Sequence, residues 1–229
     1  MHSSNKALSL GKLAVAARSS PLSKAQVQEI LLALQAYHPQ VDFIIHYQDT
    51  YGDKDLKTSL RDLDKTDFFT REIDEMVMTG QCRLGIHSAK DLPHPLLPGL
   101  KLICVTKGLD AADVLVLRDY IQLEDLPKGA MIATSSLRRE EMVKKLRTDL
   151  CFCDLRGTIE QRLAKLKTGE ADGIVVAEAA LIRLGLTHLN RIRLPGPTIE
   201  GQGQLAVVAK EVDLEMENLI ACLDCRRFA

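Results

Sequence analysis

The sequence has no tryptophan and few other aromatic residues, with five Phe and four Tyr among 229 residues. Proteins that bind single-stranded nucleic acid stack bases on aromatic side chains, so this scarcity argues against that class. An excess of charge is also lacking, because 30 Lys and Arg face 31 Asp and Glu for a net charge of −1. Neutralising phosphates usually requires a basic domain, and we therefore predict no nucleic-acid partner.

Long apolar runs are missing as well. No run approaches the ~18 residues of a membrane helix, so we predict no membrane span. The start, Met1 to Lys6, lacks the apolar core of a secretory signal, so we expect a cytoplasmic protein. We also expect it to act as a monomer. Apolar residues make up 46% and charged residues 27%, as in ordinary globular proteins. At ~100–200 residues per domain, the length predicts one large or two small domains.

Cysteine is present but sparsely patterned. The six cysteines are Cys82, Cys104, Cys151, Cys153, Cys222 and Cys225. In a cytoplasmic chain we expect reduced thiols. Cys222 and Cys225 form a single C-x-x-C pair, whereas a structural zinc site needs four ligands, so we predict no metal site.

Short β-type runs alternate with helical patterns along most of the chain. The run 12–17 is followed by Ser20, a good N-cap, and by Pro21, which suits the first position of a helix. The polar segment 50–67 is long enough to predict a lid or binding loop. A polar break at 107–112 marks the first domain boundary, and 187–203 reads as a connection. The apolar run 204–209 (QLAVVA) reads as a last strand, and 212–227 as a last helix. The alternation predicts an α/β fold with mostly parallel sheets.

Basic residues recur where predicted strands end. They are Arg18, Lys90, Arg138, Arg139, Arg156, Arg162 and Arg183. Ligands of open α/β sheets bind outside the carboxyl ends of the strands, where helix N-termini also favour anions. With 30 basic residues, chance could produce this pattern. However, Thr134, Ser135 and Ser136 together with two arginines exceed what an N-cap needs, which favours a site for several carboxylates or phosphates.

Asp91 is the carboxylate that stands out, beside Lys90 and ahead of Leu92-Pro93. One interpretation is a turn aspartate or a local ion pair. The other is a lone carboxylate in a cationic cleft, where it would stabilise a developing positive charge and pass a proton to a leaving group. The residues alone leave both interpretations open.

Five segments together resemble one known family. They are 17–22 (ARSSPL), 86–93 (IHSAKDLP), 134–139 (TSSLRR), 155–157 (LRG) with 162–163 (RL), and 201–203 (GQG). Their order and spacing, over about residues 12–209, resemble the porphobilinogen deaminases, also called hydroxymethylbilane synthases. The resemblance implies a transferase of porphyrin and haem biosynthesis. Porphobilinogen loses ammonia, and four units join stepwise into the tetrapyrrole hydroxymethylbilane on a dipyrromethane cofactor held by a cysteine thioether.

The resemblance also implies roles for individual residues. Asp91 resembles the catalytic carboxylate. The residues that resemble binders of cofactor and substrate carboxylates are Arg18, Ser20, Lys90, Thr134, Ser135, Ser136, Arg138, Arg139, Arg156, Arg162 and Arg183. Gln202 lies in the Gly-Gln-Gly connection, and Phe69 in the segment over the cleft. Each pyrrole carries an acetate and a propionate, which accounts for the number of cations.

The implied fold has two α/β domains like the type II lobes of periplasmic solute-binding proteins, placed around a central cleft. The first domain is expected at 1–106 plus 204–229, since a late strand returns to it, and the second at 111–199. The family typically continues with a third domain, whose Gly-Gly-Cys loop anchors the cofactor. This sequence ends at Ala229 without such a loop, and we expect the third domain to be absent.

The remaining thiols and the lid differ from the family pattern. By connectivity, Cys225 and then Cys222 are the weak candidates for an alternative thioether, while ion pairs alone or a loss of catalysis are the other possibilities. Where the family has two lysines four residues apart and then Gly-Leu-Phe, this chain has Asp62, Thr66 and 67–69 (DFF), with Lys65 as a partial replacement.

Three functions compete at this point: the enzyme, a catalytically weak anion- or tetrapyrrole-binding homologue, and a transport-type solute receptor. Fold alone does not choose among them. The missing signal segment argues against the receptor. Asp91 favours the enzyme, because a pure carboxylate binder gains nothing from an anion in its cleft.

Overall fold

Two five-stranded sheets organise the chain. The computed structural model describes residues 12–55, 57–59, 61 and 66–227. The first sheet with its helices is called the first lobe below, and the second sheet with its helices the second lobe.

The first sheet has the strand order β2-β1-β3-β10-β4. Its strands are β1 (Leu13–Arg18), β2 (Phe43–Gln48), β3 (Leu84–Ser88), β4 (Leu100–Val105) and β10 (Leu205–Lys210). Strand β1 pairs in parallel with β2 and β3, whereas β10 runs antiparallel between β3 and β4. A late segment of the chain thus completes a sheet that the first hundred residues begin.

The second sheet repeats this plan with the order β7-β6-β8-β5-β9. Its strands are β5 (Asp113–Leu117), β6 (Met131–Ala133), β7 (Cys151–Cys153), β8 (Gly173–Ala177) and β9 (Arg191–Arg193). Strand β6 pairs in parallel with β7 and β8, while β5 runs antiparallel between β8 and β9. In both sheets the three parallel strands therefore end at one edge.

Helices follow most of the parallel strands. They are α1 (Pro21–Tyr37), α2 (Tyr51–Lys54), α3 (Arg71–Met78), α4 (Leu137–Lys144), α5 (Ile159–Thr168), α6 (Glu178–Arg183) and α7 (Leu214–Ile220). Helix α1 begins as the sequence predicts, since the Ser20 hydroxyl accepts from the Ser23 amide at 3.2 Å and Pro21 follows it. Among the described residues, no helix combines the length and apolarity that crossing a membrane demands.

Apolar burial explains why β10 returns to the first sheet. Residues 205–209 are fully buried between neighbours on both faces, as expected for a central apolar strand. On one face they pack with Val27, Ile30 and Leu34 of α1 in the main core of the first lobe. Leaving this segment in solvent would expose five apolar residues, so the hydrophobic effect draws it into the sheet.

The predicted α/β fold is confirmed, but the sheets are mixed rather than mostly parallel, because β10 and β5 each run antiparallel to both of their neighbours. Three local expectations also differ. The connection 187–203 contains the short strand β9, whose Arg-Ile-Arg sequence carries no strand pattern. The predicted loop 50–67 contains the single turn α2. The predicted last helix ends at Ile220 and gives way to two short 3-10 turns, because the Asp224 carboxylate accepts from the Val105 amide at 3.0 Å and ties the chain to β4.

Candidate active site

A cleft of about 550 Å³ lies between the two lobes, at the carboxyl ends of their parallel strands. Both lobes supply its walls, because Arg18 ends β1 and Lys90 follows β3 in the first lobe, and Arg156 follows β7 in the second. Of the predicted site residues, those that line the cleft are Arg18, Ser20, Phe69, Lys90, Asp91, Ser135, Ser136, Arg138, Arg139, Arg156 and Arg162. The sheet edge thus brings together residues up to 144 positions apart in sequence (162 − 18).

Three predicted site residues do not line the cleft. Thr134 is fully buried at the end of β6, and its hydroxyl has no hydrogen-bond partner. Gln202 is buried and donates to the Asp113 carboxylate at 2.9 Å and to the Ala111 carbonyl at 2.7 Å. Arg183 lies at the contact between α1 and α6, where it pairs with Glu29. These side chains therefore support the cleft from behind its walls.

The three predicted serine hydroxyls have structural partners. Ser20 caps α1, and the Ser136 hydroxyl caps α4 by accepting from the Arg139 amide. The Ser135 hydroxyl accepts from the Leu155 amide at 2.8 Å and donates to the carbonyl of the same residue at 2.9 Å, which ties the end of β6 to the segment after β7. These bonds hold the strand-to-helix turns that carry the arginines.

Asp113, which the sequence analysis did not single out, organises the arginines of α4. Its carboxylate is fully buried at the start of β5. It accepts from Arg138 at 2.5 Å, from Arg139 at 3.0 and 2.6 Å, and from Gln202. Burial opposes its ionisation, but the guanidiniums of Arg139 and Arg138 hold the pKa of Asp113 below its ordinary value. The signal available in the sequence was an acidic residue opening an apolar strand, directly after the polar break.

Arg18 is held from the lid side of the cleft. Its guanidinium pairs with Asp53 of α2 and lies 4.6 Å from the centre of the Phe69 ring. Burial raises the pKa of Asp53, but the hydrogen bonds from Arg18 and Thr50 outweigh it, so that the pKa falls below the ordinary value. The predicted position of Phe69 next to the cleft thus has a specific contact, a cation–π pair with Arg18.

Arg156 reaches across from the second lobe to the same segment. It donates to the carbonyls of Gly52 and Asp55 and lies 5.4 Å from the centre of the Phe68 ring. Its Nε and Nη1 atoms are buried without a hydrogen-bond partner. Burial lowers the pKa of Arg156, and the nearby carboxylate of Asp55 opposes that shift only in part. Buried donors without partners are costly, so this guanidinium is suited to accept a carboxylate ligand.

Lys90 and Arg162 form the cationic centre of the cleft. Burial and the neighbouring guanidinium of Arg139 lower the pKa of Lys90 to about 8 and that of Arg162 to about 10, while Asp91 opposes both shifts. Arg162 donates to the Gly157 carbonyl at 2.8 Å. Within the described part of the chain, neither cation is hydrogen-bonded to a carboxylate. Their mutual repulsion would be relieved by an anionic ligand.

The structure places the two cysteines considered for cofactor attachment, Cys225 and Cys222, away from the cleft. Both line a second cavity of about 520 Å³ beside Ile30 and Lys107, and no residue lines both this cavity and the cleft. The bond from Asp224 to β4 turns the segment toward that side of the first lobe. Burial also raises the pKa of the Cys222 thiol, which makes it less nucleophilic. None of the described cysteines lines the cleft.

The altered lid residues can be followed only in part. Asp67 accepts two hydrogen bonds from Arg71, at 2.7 and 2.9 Å, and so its charge is compensated within the lid. Thr66 is exposed. Asp62 and Lys65 lie outside the described residues.

The comparisons with known proteins agree with this geometry. Residues 13–218 match the family model described as porphobilinogen deaminase, dipyromethane cofactor binding domain. A probable porphobilinogen deaminase of Chlamydia pneumoniae is 40% identical over 93% of this chain and 90% of that protein. The porphobilinogen deaminases of Streptococcus sanguinis and Xylella fastidiosa are 37% and 38% identical over 94% and 93% of this chain, and over 72% and 70% of their own lengths.

Structural neighbours define the fold more broadly. A periplasmic substrate-binding protein of an ABC transporter from Coxiella burnetii has a TM-score of 0.56 at 15% identity, covering 92% of this chain and 91% of its own. An amino acid ABC transporter substrate-binding protein from Streptococcus pneumoniae has a TM-score of 0.51 at 15% identity, covering 93% and 86%. This likeness confirms the predicted two-lobed architecture. The extent and identity of the sequence matches show that the chain belongs to the porphobilinogen deaminase family.

Proposed function

We propose that this chain is a porphobilinogen deaminase, which releases ammonia from porphobilinogen and joins four units into hydroxymethylbilane. The observation that carries the proposal is the pair Lys90 and Arg162, two cations in the cleft without a carboxylate partner among the described residues, beside the carboxylate of Asp91. A pyrrole with acetate and propionate arms presents the complementary charges.

The positions of the guanidinium and ammonium donors indicate how the cleft would bind the carboxylates of the substrate. Arg156 has two buried guanidinium nitrogens without hydrogen-bond partners, and the Nε of Arg138 is also buried without a partner. Arg162 and Lys90 add charge at the centre of the cleft. Because a guanidinium holds both oxygens of a carboxylate, these side chains would fix the orientation of each ring by its two acidic arms. The cleft volume of about 550 Å³ is within the usual range for small-molecule sites.

Asp91 would act on the reacting ring. As the bond between the substrate's methylene carbon and its ammonium nitrogen breaks, both electrons leave with ammonia, and positive charge develops on the pyrrole. A fixed carboxylate in a partly desolvated cleft stabilises that charge more in the transition state than in the ground state. A pure binding protein accounts less well for the cleft, because Asp91 would oppose the ligand's carboxylates.

The residues of the cleft fit the carboxylates of a dipyrromethane cofactor but not its attachment through a thioether. Arg138, Arg139, Arg156 and Arg162 match its carboxylates, whereas no described cysteine lines the cleft to form a thioether. When bound, dipyrromethane supplies the terminal pyrrole on which the chain is extended. The residues described here would hold it by ion pairs and hydrogen bonds.

We also propose that the two lobes are domains, at 1–106 plus 204–229 and at 111–199. In support, one crossover leads out of β4 into β5 and the other leads from β9 back to β10. Each sheet is built entirely of strands from its own range. Such a two-crossover arrangement permits the cleft to open and close.

Incubation of the purified chain with porphobilinogen tests the proposal. We expect ammonia release in a ratio of four to each tetrapyrrole, which is detected as uroporphyrin after oxidation. An intact-mass measurement of the same preparation reports whether a pyrrole adduct is present. Porphobilinogen that binds, by calorimetry, without release of ammonia would overturn the proposal and show a binding protein on the same scaffold.

A further inference from the structure

Arg183 makes a contact that the deaminase reaction by itself does not require. Its Nε and Nη2 atoms donate to the two oxygens of Glu29, at 2.7 and 3.1 Å, and Nη2 also donates to the Gly203 carbonyl at 2.9 Å. Only 4% of the Arg183 side chain is exposed, against 32% for Glu29. A buried guanidinium with a bidentate partner is a strong and geometrically specific pair.

Arg183 and its two partners belong to different parts of the fold. Glu29 lies on α1 of the first lobe, Arg183 ends α6 of the second lobe, and Gly203 lies in the segment that leads back to β10. The side chain of Arg183 therefore joins both lobes and the crossover between them. Helices α1 and α6 are in direct contact.

The pair lies one helical turn behind the cleft. Gln26 of α1 and Ala180 of α6 line the cleft, and Glu29 and Arg183 follow each of them by three residues. Residues three apart on a helix share a face, so the ion pair holds together the two helices whose preceding turns form the cleft wall.

We propose that Arg183 is a positioning residue, which sets the spacing of the two lobes through Glu29 rather than binding a ligand carboxylate. Two of its donor nitrogens are already committed to Glu29 and Gly203, and it does not line the cleft. Loss of the pair leaves a buried guanidinium uncompensated and loosens the contact of α1 with α6. The population of molecules with a correctly spaced cleft then falls, and the apparent affinity falls with it.

A double-mutant cycle on Glu29→Gln, Arg183→Leu and the double variant tests this assignment. We expect each single variant to lower Tm by about 4–8 °C, and the double variant to be no more than about 2 °C below the worse single one, because both changes remove one shared contact. In kinetic assays with porphobilinogen, each single variant should raise KM about threefold or more while kcat stays within about threefold. This kinetic arm rests on the proposed function, whereas the Tm cycle does not.

Arg83→Leu is the matched control. It removes an arginine that also makes a bidentate pair, with Asp213 at 3.0 and 2.6 Å, but both partners lie in the first lobe. It should lower Tm and leave KM within about twofold of wild type, because the spacing of the lobes is unchanged.

The opposite results overturn the assignment. They are additive losses of Tm in the double variant, or a loss of activity in Arg183→Leu while Glu29→Gln keeps the Tm and KM of wild type. If Arg183→Leu does not fold, Glu29→Gln decides alone, since it preserves shape and removes only the charge. If the wild-type chain has no deaminase activity, the Tm cycle still decides whether the pair couples the lobes.

Discussion

The two lobes share one strand order but contribute different chemistry to the cleft. The first lobe supplies Asp91 and Lys90 after β3, whereas the second supplies Arg138, Arg139 and further arginines after β6 and β7. The scaffold places whatever follows a parallel strand at the same edge, so the residues at the strand ends decide what each lobe does. One lobe thus carries the proposed reacting carboxylate and the other most of the arginines proposed to bind anions.

The lobes also hold their functional residues by different means. In the first, Gly201 approaches the loop that carries Lys90 so closely that a Cβ there would lie 3.0 Å from the Lys90 amide nitrogen, and its φ of +74° also favours glycine. In the second, the buried carboxylate of Asp113 orients Arg138 and Arg139. Backbone packing positions the carboxylate of one lobe, and an internal counter-charge positions the arginines of the other.

The difference between the two lobes predicts that the largest effect on catalysis comes from changing Asp91. Asp91→Ala should reduce kcat for ammonia release by about 10²–10³, the usual cost of removing one electrostatic stabiliser, with little change in Tm. Asp42→Ala, an exposed carboxylate of the same lobe, is the control. Steady-state rates of ammonia release measure both. If Asp91→Ala keeps half of the wild-type rate, the first lobe does not supply the catalytic carboxylate.

Asp113→Ala should have the largest effect on the stability of the second lobe. It leaves two arginines without their shared, fully buried partner, and breaking such pairs costs about 3 kcal/mol. This corresponds to a fall in Tm of about 6–12 °C by calorimetry. Because the folded-state pKa of Asp113 is lowered, its contribution is present above the ordinary pKa and is lost as pH falls through the folded value.

The matched control for Asp113 is Asp149→Ala, which removes the partly exposed partner of Arg147 in the same lobe. Exposed pairs contribute little to stability because solvent screens them, so its Tm should shift by no more than about 4 °C. Equal losses from the two variants would show that Asp113 does not organise the arginines in solution.

Arg156→Leu should test the binding role of the second lobe. Removing a guanidinium with two buried, unpartnered nitrogens should raise KM for porphobilinogen at least about tenfold, because ligand carboxylates lose a bidentate partner. Arg156→Lys should recover only part of the affinity. Arg118→Leu, at a surface pair with Asp172, serves as control. A wild-type KM in Arg156→Leu would show that Arg156 does not bind the substrate carboxylates, and would assign that role to Arg162 and Lys90.

The smallest predicted effect is a pH dependence at Lys90, whose pKa is about 8 because of burial and the facing charge of Arg139. Arg162 also repels its ammonium form, while Asp91 and Asp113 attract it. As pH rises through 8 the amine loses its charge, so KM for porphobilinogen should rise about three- to tenfold between pH 7 and 9. Lys90→Arg should flatten this dependence, since arginine stays charged. An unchanged profile in Lys90→Arg would assign the titration to another group.

Local signals were sufficient for most elements of the fold. Ser20 with Pro21 fixed the start of α1, and the apolar run of β10 was recognisable from its composition. Strand β9 was missed because its pairing with β5, and not its Arg-Ile-Arg sequence, makes it a strand. The last helix was overextended because a single bond from Asp224 to β4 ends it.

The amino-acid sequence by itself determined the α/β alternation, the family, and the position of the cations at the strand ends, since all of these depend on short segments and their order. Only the tertiary structure decided which cations have a carboxylate partner within the protein. Arg138 and Arg139 meet Asp113 across 25 and 26 residues, and Arg183 meets Glu29 across 154. The pairs with Asp113 depend on how elements pack within the second lobe, and the pair with Glu29 depends on how the two lobes pack. Attraction between charges that distant in sequence arises only after hydrophobic burial has brought their elements together.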